Sequence, residues 1–329
     1  MKARYALLAS IAAGAVALVS ATTAVRSAPE PAAGDAITGM WTAEPATWKS
    51  ASRGPVVQLS MMRRHGRGNS QHSSPIALAE LRGLTAEQMN GSGSNVSFTL
   101  DRDAGRFSFE GSFRRGEGAG HFSFTPSPEY VAAMRALGYT MDDEKVYSMA
   151  ILDVSREFVR QLDALGYSRL DLDQLLSLRI HGADPEFIRQ VKDLGYDHLP
   201  VDDLVGFRIH GATPEFIRQM QTLGYMRLSP EDLVSLRIHG ASPEFVRQLR
   251  ELGYERLSSE DLVSMRIHGV SPEFIKELKS LGYDRVSVED LVSMRIHGVS
   301  AEFVRRVQAS RGSVSIERLV SMRIHGVQP

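Results

Sequence analysis

SPEFVRQLRELGYERLSSEDLVSMRIHGV, residues 242–270, is the stretch that decides the fold. Copies of it begin at Ser127, Ser155, Asp184, Thr213, Ser271 and Ser300, so the seven starts are spaced 28 residues once and 29 residues five times. Self-similarity at such a period marks units that stack on one another, because one unit alone cannot bury its apolar stripe.

Each unit spells two short helices with legible ends. Ser242 is an N-cap, Pro243 takes the first helical position and Glu244 favours the positive helix start. Phe245, Val246, Leu249 and Leu252 fall on one stripe, with Arg247, Gln248, Arg250 and Glu251 opposite. Gly253 is the left-handed stop and Tyr254 the apolar residue that a Schellman motif places against Leu249. Ala241 and Val246 are spaced as a hydrophobic staple. In the second helix Ser258 and Asp261 form a capping box, Leu262, Val263, Met265 and Ile267 are read as the apolar face, and Gly269 with Val270 closes the end. Breaks are expected at Gly138, Gly166, Gly195, Gly224, Gly253 and Gly282.

Ahead of the array, residues 96–100, 106–113 and 121–124 alternate apolar and polar side chains, with turns at Asp103-Ala104-Gly105 and Gly116-Glu117-Gly118. Weaker strands are expected at 37–41 and 56–61, a basic loop at 62–74 and a helical turn at 84–89. The expected organisation is a signal peptide at 1–24, a disordered lead-in at 25–35, a small antiparallel β module at 36–126 and an α-solenoid of seven helix pairs at 127–329. The leader reading rests on Lys2 and Arg4, the uncharged run from Tyr5 to Val19, and small residues at Ala21 or Ala24 for cleavage. That run is shorter than the ~20 residues a spanning helix needs, so export to the periplasm or beyond is expected without stable membrane insertion.

Composition narrows the chemistry. The chain has no cysteine, which removes thiol catalysis, thiolate metal sites and disulfides. Its formal charge of −1 argues against a nucleic-acid partner drawn in by bulk charge. The 125 residues before Pro126 hold 13 basic and 9 acidic side chains, the rest 25 and 30, so neither part is a polycation. No HExxH, GxSxG, phosphate-binding loop or dinucleotide glycine pattern is present, and His65, His72, His121 and His198 show no catalytic spacing. No catalytic, cofactor or metal residue is assigned.

The repeated polar positions are the candidate interaction surface. Arg160, Arg189, Arg218, Arg247, Lys276 and Arg305 pair three residues on from a glutamate, as in Glu244 and Arg247. The positions just beyond vary between copies: Gln161 and Asp163, Lys192 and Asp193, Gln221 and Thr222, Arg250 and Glu251, Lys279 and Ser280. Variation on a fixed frame suits recognition, or drift. His181, His210, His239, His268, His297 and His325 follow Arg-Ile in six copies. They are read as helix C-caps; the rival is a metal-binding or pH-sensing ladder, which helix spacing of about 8–10 Å does not favour. The preceding arginine, Arg266 in the quoted copy, falls within the apolar arc of the helical wheel. It must find a partner, either Glu273 or the terminal carbonyls of a neighbouring helix, with an anion-binding arginine row as the alternative.

The two ends are expected to differ. The first repeat carries Ala150-Ile151-Leu152-Asp153 in place of Arg-Ile-His-Gly, which fits burial against the β module. The last repeat keeps Leu319, Val320 and Ile324 with no polar helix after them, so these three are a candidate contact for a partner or for self-association.

The phrases GLTAEQM (83–89), DRDAGRFSFEGSF (101–113) and GAGHFSFTP (118–126), joined to the LGY…RIHG repeats, resemble bacterial extracytoplasmic repeat proteins associated with antirepressor-type sensor metallopeptidases of the beta-lactam-sensor class. The resemblance covers about residues 80–325. It implies a role in or near envelope signalling; the zinc peptidase of the fused relatives carries an HExxH motif that this chain lacks. The function expected is thus a non-enzymatic protein-binding scaffold. A structural or self-assembling spacer is the alternative, and a hydrolase in the β module a weaker one.

Overall fold

The computed structural model describes residues 37–46, 54–65 and 68–327. The expected leader and lead-in lie outside the described residues. Seven strands, β1 (Ile37–Pro45), β2 (Val56–His65), β3 (Gly68–Ala77), β4 (Leu81–Arg82), β5 (Ser94–Arg102), β6 (Gly105–Arg114) and β7 (Glu117–Pro126), form one antiparallel sheet. Their order is β3-β2-β1-β7-β6-β5-β4, so the first and last strands meet at the centre, with Trp41 opposite Gly120. Alternation sends Trp41, Leu59, Phe98, Phe107, Phe109 and Phe124 to one buried face. Trp41 stands edge-on to Phe98 at 5.2 Å and donates its indole N–H to the Glu110 carbonyl at 3.1 Å.

Two local expectations fail here. Residues 62–74 are not a loop: β2 runs on to His65 and β3 pairs with it from Gly68. Edge strand β3 buries only Ile76 among its residues, so it has no apolar alternation to reveal it. Its cross-strand ties are polar, including Ser60 with Ser73 at 2.7 Å. The second turn sits one residue earlier than expected, at Arg115-Gly116, both with positive φ, because Glu117 already pairs with Arg114. The short helix α1 (Ala86–Asn90) does form, closed by a capping box between Thr85 and Gln88.

Fourteen helices follow as seven pairs: α2 (Pro128–Ala136) and α3 (Asp143–Ile151), α4 (Arg156–Ala164) and α5 (Leu172–His181), α6 (Pro185–Asp193) and α7 (Val201–His210), α8 (Pro214–Thr222) and α9 (Pro230–Ile238), α10 (Pro243–Glu251) and α11 (Ser259–Ile267), α12 (Pro272–Ser280) and α13 (Val288–Ile296), α14 (Ala301–Arg311) and α15 (Ile316–Ile324). The caps lie where the residues place them. Ser242 accepts the Phe245 N–H, and the six inter-helix glycines have φ from +83° to +98°. Tyr254 N–H reaches the Leu249 carbonyl and Gly253 N–H that of Arg250, a complete Schellman motif. In the last repeat Ser-Arg-Gly replaces Leu-Gly-Tyr, and α14 runs to 11 residues before Gly312 stops it.

First helices stack on first helices and second on second, the second-helix layer more closely. One apolar core runs from the sheet through the array. The junction is α3, whose Tyr147 lies 5.8 Å from Phe107 and 5.5 Å from Phe124. Arg63, the one buried charged residue described, covers the Tyr147 ring at 4.5 Å and forks onto Glu144 at 2.8 and 2.9 Å. Ala150 is fully buried, as the substitution in the first repeat implied. Among the described residues no helix is long and apolar enough to cross a membrane.

Candidate interaction surface

Most repeated polar side chains already have partners within the array. On the first helices, Arg160, Arg218 and Arg247 pair with Glu157, Glu215 and Glu244 at 2.6, 2.7 and 2.8 Å, and Arg189 pairs with Glu186. The same glutamates accept from Gln161, Gln190, Gln219 and Gln248. This exposed face, with Lys276 and Arg305 continuing it, is largely self-neutralised, and such pairs contribute little energy.

Some of the varying positions beyond it are structural. Gln221 and Gln308 donate to the Leu194 and Leu281 carbonyls at 2.8 Å, and Arg250 donates to that of Leu223. Each caps the first helix of the preceding repeat. A shorter-range reading of drift or recognition misses this role, because the partner is 27 residues away.

The arginine of each Arg-Ile-His-Gly run is not in the core, nor does Glu273 meet it. Arg266 is exposed and its guanidinium lies over the Phe245 ring, 5.0 Å from the centroid. All six copies repeat this at 5.0–5.1 Å. The edge of the group reaches the end of the preceding second helix. Arg179 Nε donates to the Leu152 carbonyl at 2.9 Å and Arg208 Nε to that of His181 at 3.4 Å. An added Cβ at Gly240 would come within 3.2 Å of Arg266 Nη2, so glycine there serves both the left-handed turn and the arginine.

Tyrosine supplies a second tie that the spacing did not suggest. Tyr167, Tyr196, Tyr225, Tyr254 and Tyr283 each donate a phenol to a carbonyl 31–32 residues ahead, in the next repeat's inter-helix loop. Burial raises the phenols of Tyr167, Tyr196, Tyr225 and Tyr254 above the ordinary range.

The histidines sit at the ends of the second helices. His239, His268, His297 and His325 are C-caps, whereas His181 and His210 close the helix proper before Gly182 and Gly211. The ring of His325 bonds the Ser321 carbonyl at 2.8 Å through Nδ1. His65, His72, His121 and His198 are spread over β2, β3, β7 and the α6–α7 loop. Among the described residues no group of three or more histidine or acidic side chains could hold a metal ion.

One repeated side chain has no such task. Ile267, read from the helical wheel as core, is 55% exposed, and Ile180, Ile209, Ile238, Ile296 and Ile324 are 55–60% exposed. Leu262 and Met265 are the buried side chains of α11, and Ile267, two residues beyond Met265 at about 100° per residue, points to the opposite, outer face. The row borders open grooves between neighbouring second helices. One, of about 240 Å³, lies between α9 and α11, and its counterpart of about 320 Å³ between α11 and α13.

The proposed contact at the last repeat is corrected by the same row. Leu319 is fully buried and Val320 packs partly against the core. Ile324 is as exposed as its five counterparts, so its exposure belongs to the repeat rather than to the end. The side chain that differs is Val327, 39% exposed where Val299 is buried.

Comparison with known proteins matches no protein-family model and no curated protein.

Proposed function

We propose that the chain is an exported, non-enzymatic scaffold that binds a protein partner at the cell envelope. The carrying observation is the row of six half-exposed isoleucines on the second-helix layer. A solenoid of this kind has to bury apolar surface between repeats, and here Leu262 and Met265 and their equivalents do that. An isoleucine held outside the core in every copy from Ile180 onward is an apolar surface of the kind that marks contact sites. The arginine that precedes it in each run is engaged in stacking on a phenylalanine, and the tyrosines and first-helix glutamates elsewhere in the repeat in loop ties and ion pairs. Export is supported by the charged, apolar and small-residue order of residues 1–24.

The test is recovery of partners from an envelope extract by the chain, by an Ile238→Glu/Ile267→Glu variant and by an Arg218→Glu/Arg247→Glu control. Circular dichroism must show all three equally helical. The expected result is one heterologous protein held in stoichiometric amount by the chain and the control and lost from the isoleucine variant. Recovery of the chain alone would favour a spacer or self-assembling role instead.

A further inference from the structure

The exposed isoleucines are one side of a longer trough, and its other side is acidic. On each second helix from α5 onward the second and ninth residues point outward on one face, about 10.5 Å apart along the axis. The second residue is Asp173, Asp202, Glu231, Glu260, Glu289 or Glu317, all exposed, and the ninth is the isoleucine. Between them lie a valine or leucine and a small residue, Val263 and Ser264 on α11, so the floor is low. Running along the array, the trough thus has an acidic rail, an apolar rail and a shallow bottom.

The acidic rail is not neutralised from within. Lys145 pairs with Asp173 at 2.7 Å at the sheet end, but Glu231, Glu260 and Glu289 make no ion pair among the described residues. Neither groove is lined by a lysine or arginine; the lining is acidic, small, apolar and one histidine. The Asp203 carboxyl is pushed up by burial and by its neighbours Glu231 and Asp202, which marks crowded negative charge on α7 and α9. Positive charge is therefore what the rail lacks, and apolar surface is what the isoleucines lack.

Spacing selects the backbone of the occupant. Stacked helices recur about every 8–10 Å. A polyproline-II chain advances about 9.3 Å in three residues and returns to the same face, so it stays in register from groove to groove. A β-strand covers a similar length in three residues but turns its side chains over. An α-helix, about 10–12 Å across with its side chains, is too wide to lie between rails that far apart.

Resting on the scaffold reading, we propose that the trough binds an extended polypeptide segment with one basic and one apolar side chain in every three residues, the basic one along Glu231, Glu260 and Glu289 and the apolar one along Ile238, Ile267 and Ile296. The probe is a labelled peptide of repeated Lys-Pro-Val triplets, titrated with the full chain and followed by fluorescence anisotropy. Glu-Pro-Val and Lys-Pro-Ser repeats are the controls. Each control should bind at least about tenfold more weakly, a difference of one decade in dissociation constant. Glu231→Lys/Glu260→Lys and Ile238→Ser/Ile267→Ser should each weaken Lys-Pro-Val by a similar factor while leaving the melting temperature in place, and added salt should weaken it further.

Equal binding of Lys-Pro-Val and Glu-Pro-Val, retention of binding by both variants, or no binding of Lys-Pro-Val would overturn the proposal. If an envelope protein is still captured through the isoleucines while the peptide fails, the scaffold reading survives and this partner chemistry does not. Light scattering decides the remaining occupant. A concentration-dependent dimer abolished by Ile238→Ser/Ile267→Ser would assign the trough to a second copy of the chain and overturn the peptide.

Discussion

The phenol of Tyr254 donates to the carbonyl of Val286 at 2.6 Å, joining the end of one first helix to the inter-helix loop of the next repeat. Its counterparts from Tyr167 to Tyr283 do the same, so register between repeats is fixed by hydrogen bonds as well as by packing. Tyr254→Phe keeps the ring and removes one bond. A loss of about 1 kcal/mol in unfolding free energy is expected, read from the urea midpoint. An unchanged midpoint would show that water replaces the phenol without cost.

Arg266 over Phe245 is a separable pair. A double-mutant cycle with Arg266→Ala and Phe245→Leu should return a coupling of about 0.5–1 kcal/mol, the range for an exposed cation on an aromatic face. Phe245→Leu alone should cost more than Arg266→Ala, because Phe245 is buried and the arginine is not. Strict additivity would reduce the stack to mere proximity.

Gly253 holds φ at +98° after α10. Gly253→Val forces a β-branched side chain into the left-handed region and should destabilise the array by about 1–2 kcal/mol or more. No neighbouring atom lies within 4 Å of an added Cβ there, so the cost comes from the backbone and not from a clash. Gly253→Asn, which tolerates this region, should recover part of the loss in a thermal melt. Equal melting of the Val variant and the parent would remove the cap assignment.

Acid should loosen the joint between sheet and array. Asp103 takes a fork from the Arg156 guanidinium and the Arg156 backbone N–H at 2.7 Å, and the guanidinium holds its carboxyl below the ordinary value of 3.8. A depressed carboxylate contributes stability that is present above its unfolded pKa and is lost as pH falls through the folded one. The parent should therefore exceed Asp103→Asn by about 1 kcal/mol at neutral pH, a modest figure because the pair is partly exposed. The gap should close below about pH 4. A gap that persists unchanged at low pH would mean that shape, not charge, makes the contact.

The helix ends and the number of repeats were legible because they depend on local chemistry: Ser242, Pro243, Gly253 and Gly269 act within a few residues of themselves. The carbonyl partner of the repeated arginine was among the expected ones, but its phenylalanine partner was not read, although comparing copies marks it. The first repeat has Tyr130 where others have phenylalanine and Ala150 where they have arginine, and the Tyr130 phenol instead donates to the Val154 carbonyl. The exposure of Ile267 was legible but misread: at about 100° per residue it stands about 160° from Met265 and shares a face with Glu260, so grouping it with the apolar side was an error of direction. Strand β3 was hidden because a strand that buries one side chain has no period for the eye to find. The trough required both the outward isoleucine and the neighbouring acidic position, and neither is meaningful until the helices are stacked.

Every tie between repeats reaches one repeat and no further: tyrosine forward, arginine and glutamine back. The array therefore behaves as a line of links, each of which knows only its two neighbours. A lesion in the fourth link, α8 and α9, would divide the line, leaving α2 to α7 supported by the sheet through Tyr147 while α10 to α15 must hold as a separate block. Unfolding of such a variant would proceed in steps, and the span of trough available to one extended partner would be cut at the same place.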